Sequence, residues 1–478
     1  MKLGLVLVLL LSSLQAFAQL TNAAPRTVMV QLFEWPWTAV ASECETVLGP
    51  QGYAAVQVSP PQEHVRLGQN NWWERYQPVS YKLESRSGTE AEFRDMIKRC
   101  RASGVDVYVD VILNHMAARH ENGVGFAGTR YEKYSHPGLY SAADFHNCGR
   151  YNDNEIRNYK DRFEVQFCEL VGLADLRTES EIVRDKLGAY MNQLLDMGAM
   201  GFRIDAAKHI PAEDIAAILS RLNRSVYIIS ETLIGGGEPV QYQEYTGFGD
   251  VNYFIYTYDL GNALYDGQLA QLPQIMSGYL DSKSVVVFSE NHDIQRLAGA
   301  RIPSYQKNPE LHFLSQVFLL TWPYGYPQVF SGYSFQDYNE GPRVDAQGYT
   351  TGLFDARGGC QAPWSCEHRL AGMAELVQFH NATDGAFVAT RVWRGTNSQL
   401  AFSRSRLGFA ALNADASALV ARIPTDLADG VYCNLLDPSY DRLSRRCTQK
   451  VLVQNGQVHA QIAPRSAMIL LHNVRGSK

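Results

Sequence analysis

Arg203 and Asp205 stand two apart in Gly201-Phe-Arg-Ile-Asp-Ala-Ala-Lys-His209, with apolar residues alternating between them. On a strand, side chains two apart share a face, and a guanidinium there favours the ionised form of a neighbouring carboxylate. Lys208 and His209 follow as the chain leaves the strand. Taken alone, this stretch is as well explained by a surface salt-bridge cluster as by a site. Two further apolar runs shift the balance. Val226-Tyr-Ile-Ile-Ser-Glu231 and Val285-Val-Val-Phe-Ser-Glu-Asn-His-Asp293 each end in a carboxylate. Val105, Val107, Val109 and Val111 alternate toward Asn114-His115. Polar groups thus recur at the ends of separate strands.

Three carboxylates, with no Ser or Cys nucleophile signature, suit glycoside hydrolysis. One carboxylate attacks the anomeric carbon; another protonates the leaving oxygen and later activates water, the two lying about 5 Å apart in retaining enzymes. The acid needs a raised pKa and the nucleophile a normal or lowered one. Arg203 beside Asp205 fits the nucleophile, and the apolar run before Glu231 fits a desolvated acid. Asn71-Trp-Trp-Glu-Arg-Tyr-Gln-Pro78 places Trp72, Trp73 and Tyr76 at spacings unlike a helix face. They read either as a loop plug on the core or as a stacking platform for sugar rings.

These residues need elements to position them. Val28–Phe33 and Tyr53–Val58 read as strands. Thr89-Glu-Ala-Glu92 is a capping box ahead of a helical stripe of Phe93, Met96, Ile97 and Cys100, ended by Gly104. A second box at Thr178-x-x-Glu181 precedes a stripe from Val183 to Leu194. This strand–helix rhythm means a parallel sheet covered by helices. Strand-end chemistry favours a (β/α)8 barrel. An open doubly wound sheet would often carry a glycine-rich phosphate turn, and no strand here is followed by one. Between His115 and Asp175 the rhythm fails, which predicts an inserted irregular domain. Beyond residue 381, short runs such as Phe387-Val388, Leu400–Phe402, Phe409–Leu412, Val451–Val453 and Met468–Leu471 predict an all-β sandwich. The expected division is 1–18 export signal, 19–114 first barrel part, 115–175 insertion, 176–381 second barrel part and 382–478 C-terminal domain.

The signal reading rests on Lys2, the run Leu3–Leu11 and Ala16-Phe-Ala18, too short an apolar stretch for a membrane span. No later stretch is long and apolar enough either. A formal charge of −6 argues against nucleic acid or an anionic membrane as partner. Eight cysteines in an exported chain suggest disulfides. The expectation is a secreted monomer.

Phe202-Arg-Ile-Asp-Ala-Ala-Lys-His209, Asp110-Val-Ile-Leu-Asn-His115, Glu231 and Asn291-His-Asp293 resemble the four signature motifs of the α-amylase family. Leu32-Phe-Glu-Trp35, Gln57-Val-Ser-Pro-Pro61 and Trp72–Tyr81 are similar to its animal-type, chloride-dependent members. The resemblance implies that Asp205 is the nucleophile, Glu231 the acid/base and Asp293 the carboxylate that orients the sugar. It implies that Trp72, Trp73 and Tyr76 stack on glucose rings, with Gln77 in the same motif. His115, Arg203, Lys208, His209 and His292 would hydrogen-bond sugar hydroxyls. It further implies calcium held by Asn114, Asp175 and the carbonyls of Gln166 and His209. The implied disulfides are Cys44–Cys100, Cys148–Cys168, Cys360–Cys366 and Cys433–Cys447. The chloride positions would be Arg203, Asn291 and Gln328, and the last is a neutral amide where relatives carry a cation, so chloride independence is expected. A glycine-rich loop of relatives is replaced by Ile294-Gln-Arg-Leu-Ala-Gly-Ala300, and Glu84 stands where vertebrate relatives have a cysteine. The reading is an endo-acting retaining hydrolase of α-1,4-glucans such as starch, glycogen and malto-oligosaccharides. A glucanotransferase of the same family is the alternative, and a non-catalytic carbohydrate-binding relative is a weaker one.

Overall fold

Eight short apolar runs hydrogen-bond in parallel and close on themselves. The strands are β1 (Met29–Leu32), β2 (Ala55–Val58), β3 (Asp106–Ile112), β4 (Gly201–Asp205), β5 (Tyr227–Ser230), β6 (Asp250–Asn252), β7 (Val285–Val287) and β8 (Tyr326–Ser331), each paired with the next and β8 with β1. This is the eight-stranded parallel barrel expected. The computed structural model describes residues 27–118 and 123–474; the expected export signal lies outside the described residues. Among the described residues no helix is long and apolar enough to cross a membrane.

Strands buried on both faces lose the polar alternation of an exposed sheet, and β2, β5, β7 and β8 are buried throughout. The helix Glu90–Ala102 begins as its sequence dictates: the Thr89 backbone N–H donates to Glu92 Oε2 at 2.8 Å, and the Glu92 N–H donates to Thr89 Oγ1 at 3.4 Å. The second expected box does not form. The helix Glu181–Met197 starts after Ser180, and the Thr178 hydroxyl donates instead to Asp214 Oδ2 at 2.9 Å. A tertiary partner outcompetes the local one. Gly201 opens β4 because a side chain there has no room: a Cβ would lie 2.8 Å from both the Tyr108 ring and the Tyr227 carbonyl.

The register of β3 against β4 pairs Asp110 with Arg203 and Ile112 with Asp205. After β3 the chain leaves the barrel: His115–Ala118 pairs antiparallel with Leu173–Asp175, with turns and the Cys148–Cys168 bridge between. The other disulfides are Cys44–Cys100, Cys360–Cys366 and Cys433–Cys447, all four in the expected pairing. Toward the C-terminus, two four-stranded antiparallel sheets enclose a core that includes Phe409, Ile423, Tyr432 and Leu470. The first strand there is Thr390–Arg394. Phe387 and Val388, expected in a strand, precede it and are 77% and 67% exposed.

Candidate active site

Arg203 is the centre of the barrel's charged floor. Its Nη1 donates to Asp110 Oδ1 at 2.8 Å and to Asp205 Oδ1 at 2.6 Å, and its Nη2 lies 2.7 Å from Glu231 Oε1. Asp205 closes β4, and Glu231 follows β5 directly, so neighbouring strand ends bring the two carboxyls together. Ala206 makes the turn between them work. It adopts the left-handed conformation (φ 48°) and its N–H donates to Glu231 Oε2 at 2.8 Å. A non-glycine residue in that region is strained, and such strain gathers at functional sites. Tyr76 donates from its hydroxyl to Asp110 Oδ2 at 3.0 Å.

One guanidinium shared among three buried acids does not keep them all ionised. Burial raises Glu231, and the Asp205 charge raises it further against the pull of Arg203. Burial also raises Asp205, contrary to the expectation that Arg203 alone would hold it charged, while Arg203 and a hydrogen bond from Glu231 pull it back. Asp110 is pushed up to about 7 by burial. Asp293 is raised well above the carboxylate range by burial and then by the Glu231 charge.

Above this floor opens a cavity of about 870 Å³, lined by Asp205, Glu231 and Asp293 together with Trp72, Trp73, Tyr76, Gln77, His115, Lys208, His209 and His292. Arg203 does not line it. Its guanidinium is engaged by Asp110, Asp205 and Glu231. His292 stacks on Phe33 at 4.5 Å and on Tyr76 at 5.2 Å; its Nδ1 faces Gln31 Nε2 at 3.2 Å and its Nε2 faces Asp293 Oδ2 at 3.3 Å. An amide donor on Nδ1 leaves the proton on Nε2. Burial, and then the charges of Arg203 and Arg296, keep this ring neutral. His115 is lowered to about 4 by burial, and its Nε2 contacts the Tyr76 carbonyl at 2.9 Å. His209 is lowered to about 3 by burial and then by Lys208, with Nδ1 on the Val165 carbonyl at 2.8 Å. Lys208 pairs with Glu238 at 2.9 Å and lies over the Tyr159 ring at 4.9 Å.

Sequence reasoning missed several lining residues: Tyr159, Leu170, Val171 and Leu173 from the insertion, Ile234 and Glu238 after β5, and Tyr258 and Tyr338. Their only signal was position after strand ends and the abundance of tyrosine. Asp110 was missed as a partner of the floor, although its alternation with Val109 and Val111 is visible in sequence.

Comparison with known proteins agrees with this geometry. A model of the α-amylase catalytic domain matches residues 58–226. An α-amylase of Thermomonospora curvata is 44% identical over 451 residues, spanning 90% of this chain and 71% of that one. The chain belongs to the α-amylase family. An α-amylase-related protein of Drosophila melanogaster is 39% identical, with 94% of this chain and 93% of that one aligned. The crystal structure of α-amylase I from Eisenia fetida superposes with a TM-score of 0.87 at 33% identity, covering 94% of this chain and 99% of that one. A variant of that α-amylase was solved in complex with maltohexaose.

Two sets of residues in this α-amylase stand where ions were expected. Asp175 and Asn114 adjoin through the His115–Asp175 register pair and the Leu176 N–H on the Asn114 carbonyl at 2.9 Å. Gln166 and the turn at Lys208–Ile210 meet at Tyr245, whose hydroxyl accepts from Gln166 Nε2 at 3.3 Å and donates to the Ile210 carbonyl at 2.9 Å. Burial pushes Asp175 up to about 7, with His146 Nδ1 at 2.6 Å as its counter-group. A buried acid beside amide and carbonyl oxygens fits a hard cation such as calcium. At the three positions where chloride would be expected, the polar groups are engaged. Gln328 Nε2 donates to Gln57 Oε1 at 2.6 Å, Asn291 Oδ1 accepts the N–H groups of Asp293 and Ile294, and Arg203 is taken by its carboxylates.

Proposed function

We propose that this α-amylase, a hydrolase of starch-type glucans, acts internally on α-1,4 bonds with retention of configuration, and that Asp205 is its nucleophile. The observation that carries the reading is the single guanidinium of Arg203, which holds Asp205 and Glu231 side by side on the floor of one aromatic-lined cavity. Glu231, with the raised pKa an acid needs, gives its proton to the glycosidic oxygen as the bond from that oxygen to C1 breaks. Asp205 Oδ forms a bond to C1 from the opposite face. Water then attacks C1, its proton passes to Glu231, and Asp205 leaves as a carboxylate. Asp293 and the neutral His292 bond sugar hydroxyls, and Trp72, Trp73 and Tyr76 supply the stacking surface.

Calcium would be held by Asn114, Asp175 and the carbonyls of Gln166 and His209; when bound it ties the insertion to the barrel. The reading divides the chain into barrel parts at 19–114 and 176–381, an insertion at 115–175 and a C-terminal domain at 382–478. It makes activity independent of chloride, since Gln328 offers no second cation, although the chain is otherwise similar to chloride-dependent relatives. Four disulfides fit secretion.

The test is starch digestion by wild type, Asp205→Asn and Glu231→Gln, with the anomeric configuration of new ends followed by NMR. Wild type should release α-configured reducing ends, and both variants should lose activity by more than about a hundredfold. An unchanged rate in Asp205→Asn would sink the assignment. Transfer products without net reducing ends would favour a glucanotransferase.

A further inference from the structure

The turn after β7 carries His292 and Asp293 into the cavity, and one buried side chain fastens it to the opposite wall. Arg296 is three residues past Asp293, and its N–H donates to the Asp293 carbonyl at 3.1 Å. Its Nη1 donates to the carbonyls of Tyr338 at 3.0 Å and Glu340 at 3.2 Å. The same Tyr338 carbonyl accepts the indole N–H of Trp72 at 2.9 Å. The guanidinium lies 3.9 Å from the centre of the Phe335 ring, 5.3 Å from that of Tyr333 and 5.4 Å from that of Trp72. Its Nε and Nη2 are buried without a hydrogen-bond partner among the described residues.

This is a costly way to fill space. A buried guanidinium with unpaired N–H groups destabilises the fold unless its contacts compensate, and a methionine would fill much of the same volume. The contacts it does make join three separate segments: the turn bearing Asp293, the loop 333–340 bearing Tyr338, and the helical turn bearing Trp72. Trp72, Tyr338 and Asp293 all line the cavity. Arg296 itself does not. Its flat cation matches aromatic faces and carbonyls at once, which a lysine does not do.

We infer that Arg296 is a positioning residue for the reaction: it sets the distance between the Trp72 stacking face and the Asp293 carboxylate, so that a glucose ring on the indole meets the acids in reactive register. The inference rests on the reading above, in which Trp72 stacks on sugar and Asp293 serves the reaction. It also accounts for a turn here that is poor in glycine, since the turn is held by a side chain rather than left to move.

The test compares Arg296→Met, Arg296→Lys, Trp72→Phe and the Arg296→Met/Trp72→Phe double variant on a soluble malto-oligosaccharide, beside wild type and Asp205→Asn. Arg296→Met should lower kcat/KM by about ten- to a hundredfold, the cost of a small misplacement, mostly in kcat. Arg296→Lys should recover part of that. In the Trp72→Phe background the same change should cost less than about threefold, because residues that act through one another are non-additive. Thermal melts establish that each variant is folded, and Arg296→Lys carries the test should Arg296→Met fail to fold. Two results would overturn the inference: kcat/KM within about twofold of wild type, or an equal loss in both backgrounds. An active Asp205→Asn enzyme would instead sink the functional reading, so the two failures are distinguishable.

Discussion

Replacing Arg203 by methionine removes a cation from the middle of three buried acids at once. The contacts are 2.8 Å to Asp110, 2.6 Å to Asp205 and 2.7 Å to Glu231. Breaking a buried pair costs about 3–5 kcal/mol when a charge is left behind. The acids limit that cost by taking up protons, because each pKa unit is worth about 1.4 kcal/mol. Asp110 already sits at about 7 in the folded protein, against about 3.9 unfolded. A carboxyl raised in this way stabilises the fold below its unfolded pKa, and that contribution is lost as pH rises through the folded value. Asp205 and Glu231 are raised in the same direction. Without Arg203 all three rise further, so the variant falls away from wild type on the alkaline side. The expected destabilisation is about 3–5 kcal/mol near pH 8. It shrinks near pH 5, where Asp110 is protonated in both proteins and its charge pairing with Arg203 is already gone. Urea midpoints at fixed calcium concentration, taken at both pH values, measure the difference. A loss that is equal at the two pH values, or larger in acid, would refute the shared-guanidinium account.

Dialysed wild-type enzyme should gain less than about twofold in turnover on adding chloride, whereas Gln328→Arg should become chloride-responsive, because a second cation would lower Glu231 until an anion offsets it. Chelation should lower the melting temperature of wild type, and calcium at about a hundred times its Kd should restore about 2.7 kcal/mol; Asp175→Asn should abolish most of that calcium response, as read by calorimetry. Serine at both Cys44 and Cys100 opens a loop of sequence separation 56, which the chain-entropy relation values at about 4 kcal/mol; a denaturant midpoint unchanged by the double substitution would contradict it.

Much of this architecture was legible in the chain. The alternating run ending in Asp205 states which face Arg203 and Asp205 share, since strand geometry fixes alternation without reference to any neighbour, and apolar runs lead to Glu231 and Asp293. The Thr89–Glu92 box is local and formed as written, and loss of rhythm after His115 marked the insertion. The Thr178 box failed because Asp214, distant in sequence, offered its hydroxyl a better acceptor. Phe387 and Val388 look like a strand by composition but lie just ahead of the first one.

What sequence alone determined, then, is the set of acids and the strand ends that carry them. The closed fold decided how they share charge. Which strand lies beside which is set by the hydrogen-bond ladder, and that ladder placed Asp110 opposite Arg203. It thereby put the guanidinium among the three carboxyl groups. Burial then raised the pKa of each acid, and the depth that causes it is a property of the closed barrel that no single strand possesses.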